Sequence, residues 1–141
     1  MLMSDHLISG FKRAHEAILR TIAQIQPLIR SYPHAKPLLR QFNEQLLAHL
    51  GRQDEELVGR LTECYSADHQ SMKILEFLQH DLKETKISYL IFFDKYSGEF
   101  AQIEPRGFTK ACQDFIQKVL ARIQMEEEYL FPLLERLPQK E

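Results

Sequence analysis

The chain has 141 residues, of which 44% are hydrophobic and 27% charged, with a net charge of −2 and an isoelectric point near 6.3. This length and balance are typical of one globular domain, and the charge argues against direct binding to nucleic acid, which needs a basic surface. Since no stretch resembles a signal peptide or a membrane span, and Cys64 and Cys112 are isolated, we expect one cytoplasmic domain over residues 1–141 with reduced thiols.

Hydrophobic residues recur at helical spacing in four blocks, and none of the blocks alternates like a strand. The first predicted helix runs from about Ser4 to Ile29, with Ser4 or Asp5 as the N-cap. Pro33 and Pro37 then mark a short connection, and Pro37 suits the first turn of the second helix. This second predicted helix runs to about Cys64.

The third predicted helix runs from about Asp68 to Tyr96, and a loop that contains Pro105 follows it. The fourth predicted helix starts near Phe108, and Pro132, which lacks a backbone donor, is expected to kink or fray its last turns. Helices of about 25 residues reach about 40 Å each. Four of them with short connections predict an all-α fold, an up-down-up-down four-helix bundle of the hemerythrin-like kind.

Polar side chains interrupt the apolar stripes near the middle of the first, second and fourth helices. At about 100° per residue, Glu126 falls well inside the arc of Val119, Ile123 and Leu130, and Arg122 lies at its margin. Because the interruptions lie at similar heights, we predict one buried polar layer across the core. Its members are His15, His49, Gln53, Arg122 and Glu126.

These positions resemble those of the hemerythrin-like HHE cation-binding family, in a type of bundle whose core can hold two iron atoms. His15 matches the first-helix histidine, HLGRQD (His49 to Asp54) the HxxxE pair, and RIQMEEEYLFPLLE the HxxxEE…LFP signature. Two ligand positions depart from the pattern, since Gln53 replaces the glutamate and Arg122 replaces a histidine. A guanidinium stays protonated and cannot coordinate a metal.

The permanent charge of Arg122 beside the remaining ligands repels a metal ion. His80, which would supply the third-helix histidine of the HHE resemblance, points away from the apolar stripe of its helix. We therefore predict no di-iron centre and no cofactor, but a metal-free layer in which Arg122 and Glu126 pair one turn apart. The alternative is a weak or altered metal site. Its ligands would be His15, His49, Asp54 and Glu126.

Four blocks also resemble the Rsd/AlgQ family of regulators of sigma D, which are small helical anti-sigma proteins. The blocks are LISGFKRAHEAIL (Leu7 to Leu19), FNEQLLAHLGRQDEELVGRL (Phe42 to Leu61), IFFDKYSG (Ile91 to Gly98) and ARIQMEEEYL (Ala121 to Leu130). Arg122 and Glu126 fall on the arginine and glutamate of the last block. The family's DYxSAGHF stretch is substituted here, over residues 48–55.

This second resemblance implies a non-enzymatic regulator that binds region 4 of the primary sigma factor of RNA polymerase, with no direct nucleic-acid contact and no membrane contact. Region 4 is a basic module, and the acidic runs at residues 54–56 and 126–128 offer charge to complement it. The residues expected to contact the partner are Leu7, Phe11, Leu50, Gln53, Asp54, Glu55 and Asp94. The alternative function is a hemerythrin-like cation-binding protein that senses iron, oxygen or redox state.

Overall fold

The computed structural model describes residues 3–52, 57–97 and 106–137, and these residues are almost entirely helical. The helical elements are α1 (Met3–Ile25), a 3-10 turn (Gln26–Leu28), α2 (Tyr32–Arg52), α3 (Val58–Tyr65), α4 (His69–Tyr96), α5 (Phe108–Met125), a π-helical turn (Glu126–Leu130) and α6 (Phe131–Glu135). Over these three described ranges the chain forms no strand, and the predicted all-α class is confirmed. None of the described helices is both long and apolar enough to cross a membrane.

Buried apolar side chains form two clusters, one toward each end of the bundle. The larger core includes Ile18, Ile25, Phe42, Leu46, Tyr89, Phe92, Phe115, Ile116 and Val119. The smaller core includes Ile8, Phe11, Leu57, Leu61, Leu75, Leu78, Leu130, Leu133 and Leu134. Along the chain, α1 passes from the smaller core to the larger, α2 and α3 return, α4 passes back, and α5 to α6 return again. This alternation is the predicted up-down-up-down arrangement.

Aromatic rings bind three helices together in the larger core. Phe115 of α5 stacks on Phe92 of α4 with ring centroids 3.9 Å apart, and it meets Phe42 of α2 edge-on at 5.9 Å. Tyr89 and Phe93 contact the same ring at 5.1 Å each. Such pairs contribute beyond the area they bury, so this cluster fixes how α2, α4 and α5 pack.

The second helix starts earlier than the sequence predicts. It begins at Tyr32, so that Pro33 lies in its first turn and Pro37 inside the helix. Pro33 costs little there, because the first turn has no intrahelical acceptor for its missing N–H. Tyr32 is buried and its hydroxyl donates to the carbonyl of Tyr96, so packing against α4 extends the helix through both prolines.

The other helix boundaries agree with the predicted ones or differ from them by about one helical turn. The predicted second helix corresponds to α2 and α3, which lie on either side of residues 53–56. Asp68 caps α4 as its side chain accepts from the Ser71 backbone N–H at 3.3 Å. The first helix ends at Ile25, earlier than predicted, and a 3-10 turn over Gln26–Leu28 follows it, in which Gln26 is exposed.

The last helical segment widens where Pro132 follows. Between Glu126 and Leu130 the chain is π-helical, and the Phe131 N–H donates to the Glu126 carbonyl, five residues back. Pro132 has no N–H to donate to the turn before it, which disfavours an unbroken α-helix. The effect is a widened turn that starts at Glu126, and such turns are frequent at functional sites.

Candidate metal centre

A layer of buried polar side chains separates the two cores. His15 comes from α1, His49 from the end of α2, Arg122 from α5, and Glu126 from the start of the π-helical turn. All four are buried, and Glu126 is 0% exposed. Helical periodicity explains the layer, because each residue lies within or beside the apolar stripe of its own helix.

Glu126 is the hub of this layer. Its Oε1 accepts from Nε2 of His15 and from Nε2 of His49, each at 2.7 Å. Its Oε2 accepts from Nε of Arg122 at 2.8 Å. Three neighbouring helical segments therefore place their polar groups on the two oxygens of one carboxylate.

The fourth helical segment contributes Asp81, which the sequence analysis missed. Nη1 of Arg122 donates to Oδ2 of Asp81 at 2.7 Å, and Thr85 Oγ1 donates to the same oxygen at 3.3 Å. The Asp81 side chain is 29% exposed, whereas that of Arg122 is buried. Asp81 lies at the margin of the α4 stripe, three residues after Leu78, and this position was a signal that could have identified it.

The two histidine rings are fixed on several sides. Nδ1 of His15 lies 3.3 Å from Oε1 of Glu127, and the ring stacks on Phe131 at 5.5 Å. The ring of His49 meets that of His15 at 5.0 Å and that of Phe11 at 5.4 Å, both edge-on. Because their neighbours hold the rings, both Nε2 atoms stay directed at Glu126.

The layer strongly favours an ionised Glu126. Burial would raise the pKa of its carboxyl, but hydrogen bonds from His15 and His49 and the attraction of His49 and Arg122 outweigh burial and hold this pKa below its ordinary value. Burial, and next the negative charge of Glu126, raise the pKa of the neighbouring Tyr89 hydroxyl. The centre thus contains a buried anion beside a buried guanidinium.

These residues fit one metal ion and not two. His15, His49 and Glu126 each place one ligand atom within 4.8 Å of the other two. Ligand atoms around a tetrahedral ion with bonds of about 2.1 Å lie about 3.4 Å apart, so small side-chain rotations would admit one ion. On the far side of Glu126, however, Arg122 occupies Oε2. A guanidinium cannot act as a ligand, so a di-iron centre does not fit the described residues.

The other histidine that the sequence analysis considered, His80, lies away from this layer. His80 faces solvent, with 77% of its side chain exposed, as its helical position predicts. Gln53, Asp54 and Glu55 lie outside the described residues.

Two of the expected partner contacts are wrong. Phe11 and Leu50 are 0% and 1% exposed, because both side chains pack into the cores. Neither can contact a partner on the surface of the folded chain. Asp94 is exposed and Leu7 half-buried, so their assignment as partner contacts stays a prediction.

The family comparison matches nearly the whole bundle. The hemerythrin HHE cation binding domain family matches residues 6–134, a range that contains every member of the polar layer. No curated protein and no solved structure matches the chain. The match confirms the resemblance to the HHE family, whereas nothing found supports the Rsd/AlgQ resemblance that the sequence analysis favoured. The chain belongs to the hemerythrin HHE cation-binding domain family.

Proposed function

We propose that this protein binds one divalent cation in the buried polar layer, on His15, His49 and Glu126. The observation that carries the proposal is the convergence of three buried residues, each with a ligand atom within 4.8 Å of the others, with both histidine Nε2 atoms 2.7 Å from Oε1 of Glu126. Two imidazoles and one carboxylate suit Fe²⁺, which keeps further coordination positions open at such a site. The same three ligands suit Zn²⁺, which needs only one more ligand to be four-coordinate. This proposal replaces the sequence-based expectation of no cofactor.

The charges of the layer favour a bound cation. Two carboxylates, Asp81 and Glu126, share one guanidinium, Arg122. The two carboxylates together carry one more negative charge than the guanidinium neutralises, and a bound metal ion would balance that charge. Because a metal needs the lone pairs of both Nε2 atoms, its binding would displace protons from these positions.

The groups behind the ligands also favour a metal site. Glu127 lies 3.3 Å from Nδ1 of His15, so it can accept the N–H that this ring keeps when a metal ion displaces the proton of Nε2. Arg122 holds Oε2 of Glu126 at 2.8 Å, so that Oε1 is directed at the histidines. Hydrogen bonds of this kind orient ligands and raise affinity by about 10–100-fold. A bound ion would supply a concentrated positive charge with open coordination positions.

The test is the amount of metal that the purified protein binds. After removal of metal with a chelator, equilibrium dialysis against Co²⁺ should give one ion per chain, measured by elemental analysis. His15→Ala and His49→Ala should each lose most of this binding, because two ligands hold a divalent ion weakly. His80→Ala is the matched control, since this histidine is exposed and should leave the count unchanged.

Two results would contradict the proposal. One is the absence of bound Co²⁺ at about 100 μM in a folded sample, which would leave a hydrogen-bonded layer without metal. The other is equal binding by His15→Ala and the parent protein, which would place the ion elsewhere. Dialysis against Fe²⁺ under anaerobic conditions tests the sequence-based prediction of no di-iron centre, because two ions per chain would make that prediction wrong.

A second candidate function is binding to region 4 of the primary sigma factor, which rests on the four blocks of sequence resemblance. The observation that favours it is the exposure of Asp94 and Glu128, acidic side chains that can face a basic module. Titration calorimetry against the isolated sigma domain tests it, with binding expected to weaken as salt rises from about 0.05 to about 0.3 M. Neither heat nor co-elution at tens of micromolar would reject this candidate.

A further inference from the structure

We propose that the guanidinium of Arg122 is a built-in cation that occupies the place of a second metal ion, with Asp81 and Glu126 holding it as carboxylates hold a metal. The inference rests on the proposed function, because it explains why this centre would take one ion instead of two. It also assigns Asp81 as a carboxylate of the centre, a role that the sequence pattern did not give it.

The geometry around Arg122 is that of a cation between two anions. Nη1 lies 2.7 Å from Oδ2 of Asp81, and Nε lies 2.8 Å from Oε2 of Glu126. Glu126 is therefore shared, since Oε1 faces the two histidines while Oε2 faces the guanidinium. A carboxylate that bridges two cationic positions is the arrangement that a two-metal centre uses, and here one of the two positions holds a side chain.

The position has a route to solvent. A groove of about 360 Å³ runs between α4 and α5, and Asp81 and Arg122 lie in its wall together with Thr85, Ser88, Lys118 and Met125. Because Asp81 is partly exposed at this groove, a cation from solvent could reach the two carboxylates if the guanidinium were removed. In the native chain Arg122 fills that position, and its charge repels a second ion.

Replacing Arg122 should open the site to a second metal ion. The variant Arg122→His removes the permanent charge and supplies a neutral nitrogen on the same face of α5. Equilibrium dialysis against Co²⁺ should then give one more ion per chain than the parent protein binds. The optical bands of bound Co²⁺ give a second readout that does not depend on any activity.

Two matched variants distinguish the effect of the positive charge of Arg122 from the effect of the space that its side chain fills. Arg122→Lys keeps the positive charge in a smaller side chain, so its metal count should stay equal to that of the parent protein. The double variant R122H/D81N keeps the new nitrogen and removes the carboxylate of Asp81, so the additional ion should be lost. An additional ion in R122K, or its retention in R122H/D81N, would overturn the inference.

The difference in bound Co²⁺ per chain between R122H and the parent protein tests this inference. The amount of Co²⁺ that the parent protein binds tests the proposed function. A folded R122H that binds no more Co²⁺ than the parent would overturn the inference. If R122H is unfolded without metal, circular dichroism during Co²⁺ titration decides the matter. Recovery of helix as the additional ion binds supports the inference, and no recovery contradicts it.

Discussion

The smallest unit that matters here is the carboxylate of Glu126. One oxygen accepts from two histidines and the other accepts from an arginine, so three side chains depend on one buried carboxylate. A buried ion pair contributes little net stability compared with apolar packing, but losing one partner leaves the other charge stranded. This asymmetry makes the layer sensitive to single substitutions.

We expect Arg122→Leu, in metal-free protein, to cost about 3–5 kcal/mol of unfolding free energy, because Glu126 and Asp81 lose their shared cation. Replacing Arg122 and Glu126 together with Met or Leu should cost much less. Urea denaturation measures both. Arg20→Leu, at an exposed position of α1, is the control and should stay within about 0.5 kcal/mol. A cost for Arg122→Leu as small as that of the control would make the prediction wrong.

The same carboxylate predicts how stability depends on pH. The pKa of Glu126 is lower in the folded chain than its ordinary value of 4.5. Its ionisation therefore contributes stability that is fully present above about pH 4.5 and is lost as the pH falls toward the folded pKa. One such group changes the unfolding free energy by at most about 1.4 kcal/mol per pH unit.

We therefore expect a steeper loss of stability between pH 4.5 and 3 in the parent protein than in Glu126→Gln. Urea denaturation in the presence of a chelator measures both curves. Parallel curves over that range would show that the carboxylate of Glu126 titrates alike in the folded and unfolded chains.

A few local features determine where the helices begin and end. Asp68 caps α4, and Pro132 coincides with the π-helical turn that begins at Glu126. Gly107 precedes α5 with a φ of 74°, a left-handed conformation that side chains other than glycine adopt only at a cost. These features set where Arg122 and Glu126 fall along the bundle.

We expect Gly107→Ala to destabilise the protein by about 1 kcal/mol, because of backbone strain and not crowding. A Cβ there meets nothing within 4 Å. Gly59, exposed within α3 and equally open around its Cβ, is the matched control. Gly59→Ala should stabilise by about 0.5–1 kcal/mol, since alanine favours helix. Thermal denaturation distinguishes them, and shifts of the same sign would contradict the argument.

Across the whole molecule, the polar layer divides one bundle into two apolar cores. The larger core is bound together by aromatic contacts, and the smaller one collects the two ends of the described chain. The layer gives the bundle a buried anion with ligand atoms around it, and the cores on both sides bury His15, His49 and Glu126. Low local polarity strengthens each charge interaction in the layer.

Phe115→Ala should cost about 3–5 kcal/mol, because it leaves a cavity among rings from α2 and α4. Domains of this kind are stable by about 5–15 kcal/mol, so the variant should unfold at much lower denaturant. Phe77→Ala is the control, since Phe77 is 52% exposed and should change stability by about 0.5 kcal/mol or less. Similar denaturation midpoints for the two variants would contradict the packing described here.

The sequence alone determined the helical class, the four-part arrangement and most of the polar layer. It did so because an apolar stripe repeats every 3.6 residues, and His15, His49 and Glu126 interrupt such stripes in a way that is visible locally. The outward direction of His80 followed from the same count. The start of α2 was missed, since local rules read Pro33 and Pro37 as a connection.

Only the tertiary structure decided which groups meet between different helices. Asp81 lies 41 residues before Arg122 in the chain, and no local pattern links them before α4 packs beside α5. The burial of Phe11 and Leu50, which excludes them from a partner surface, likewise depends on what lies opposite each helix. Periodicity tells which side of a helix is buried, but the partner of a buried charge is set by the neighbouring helix and its height along the bundle.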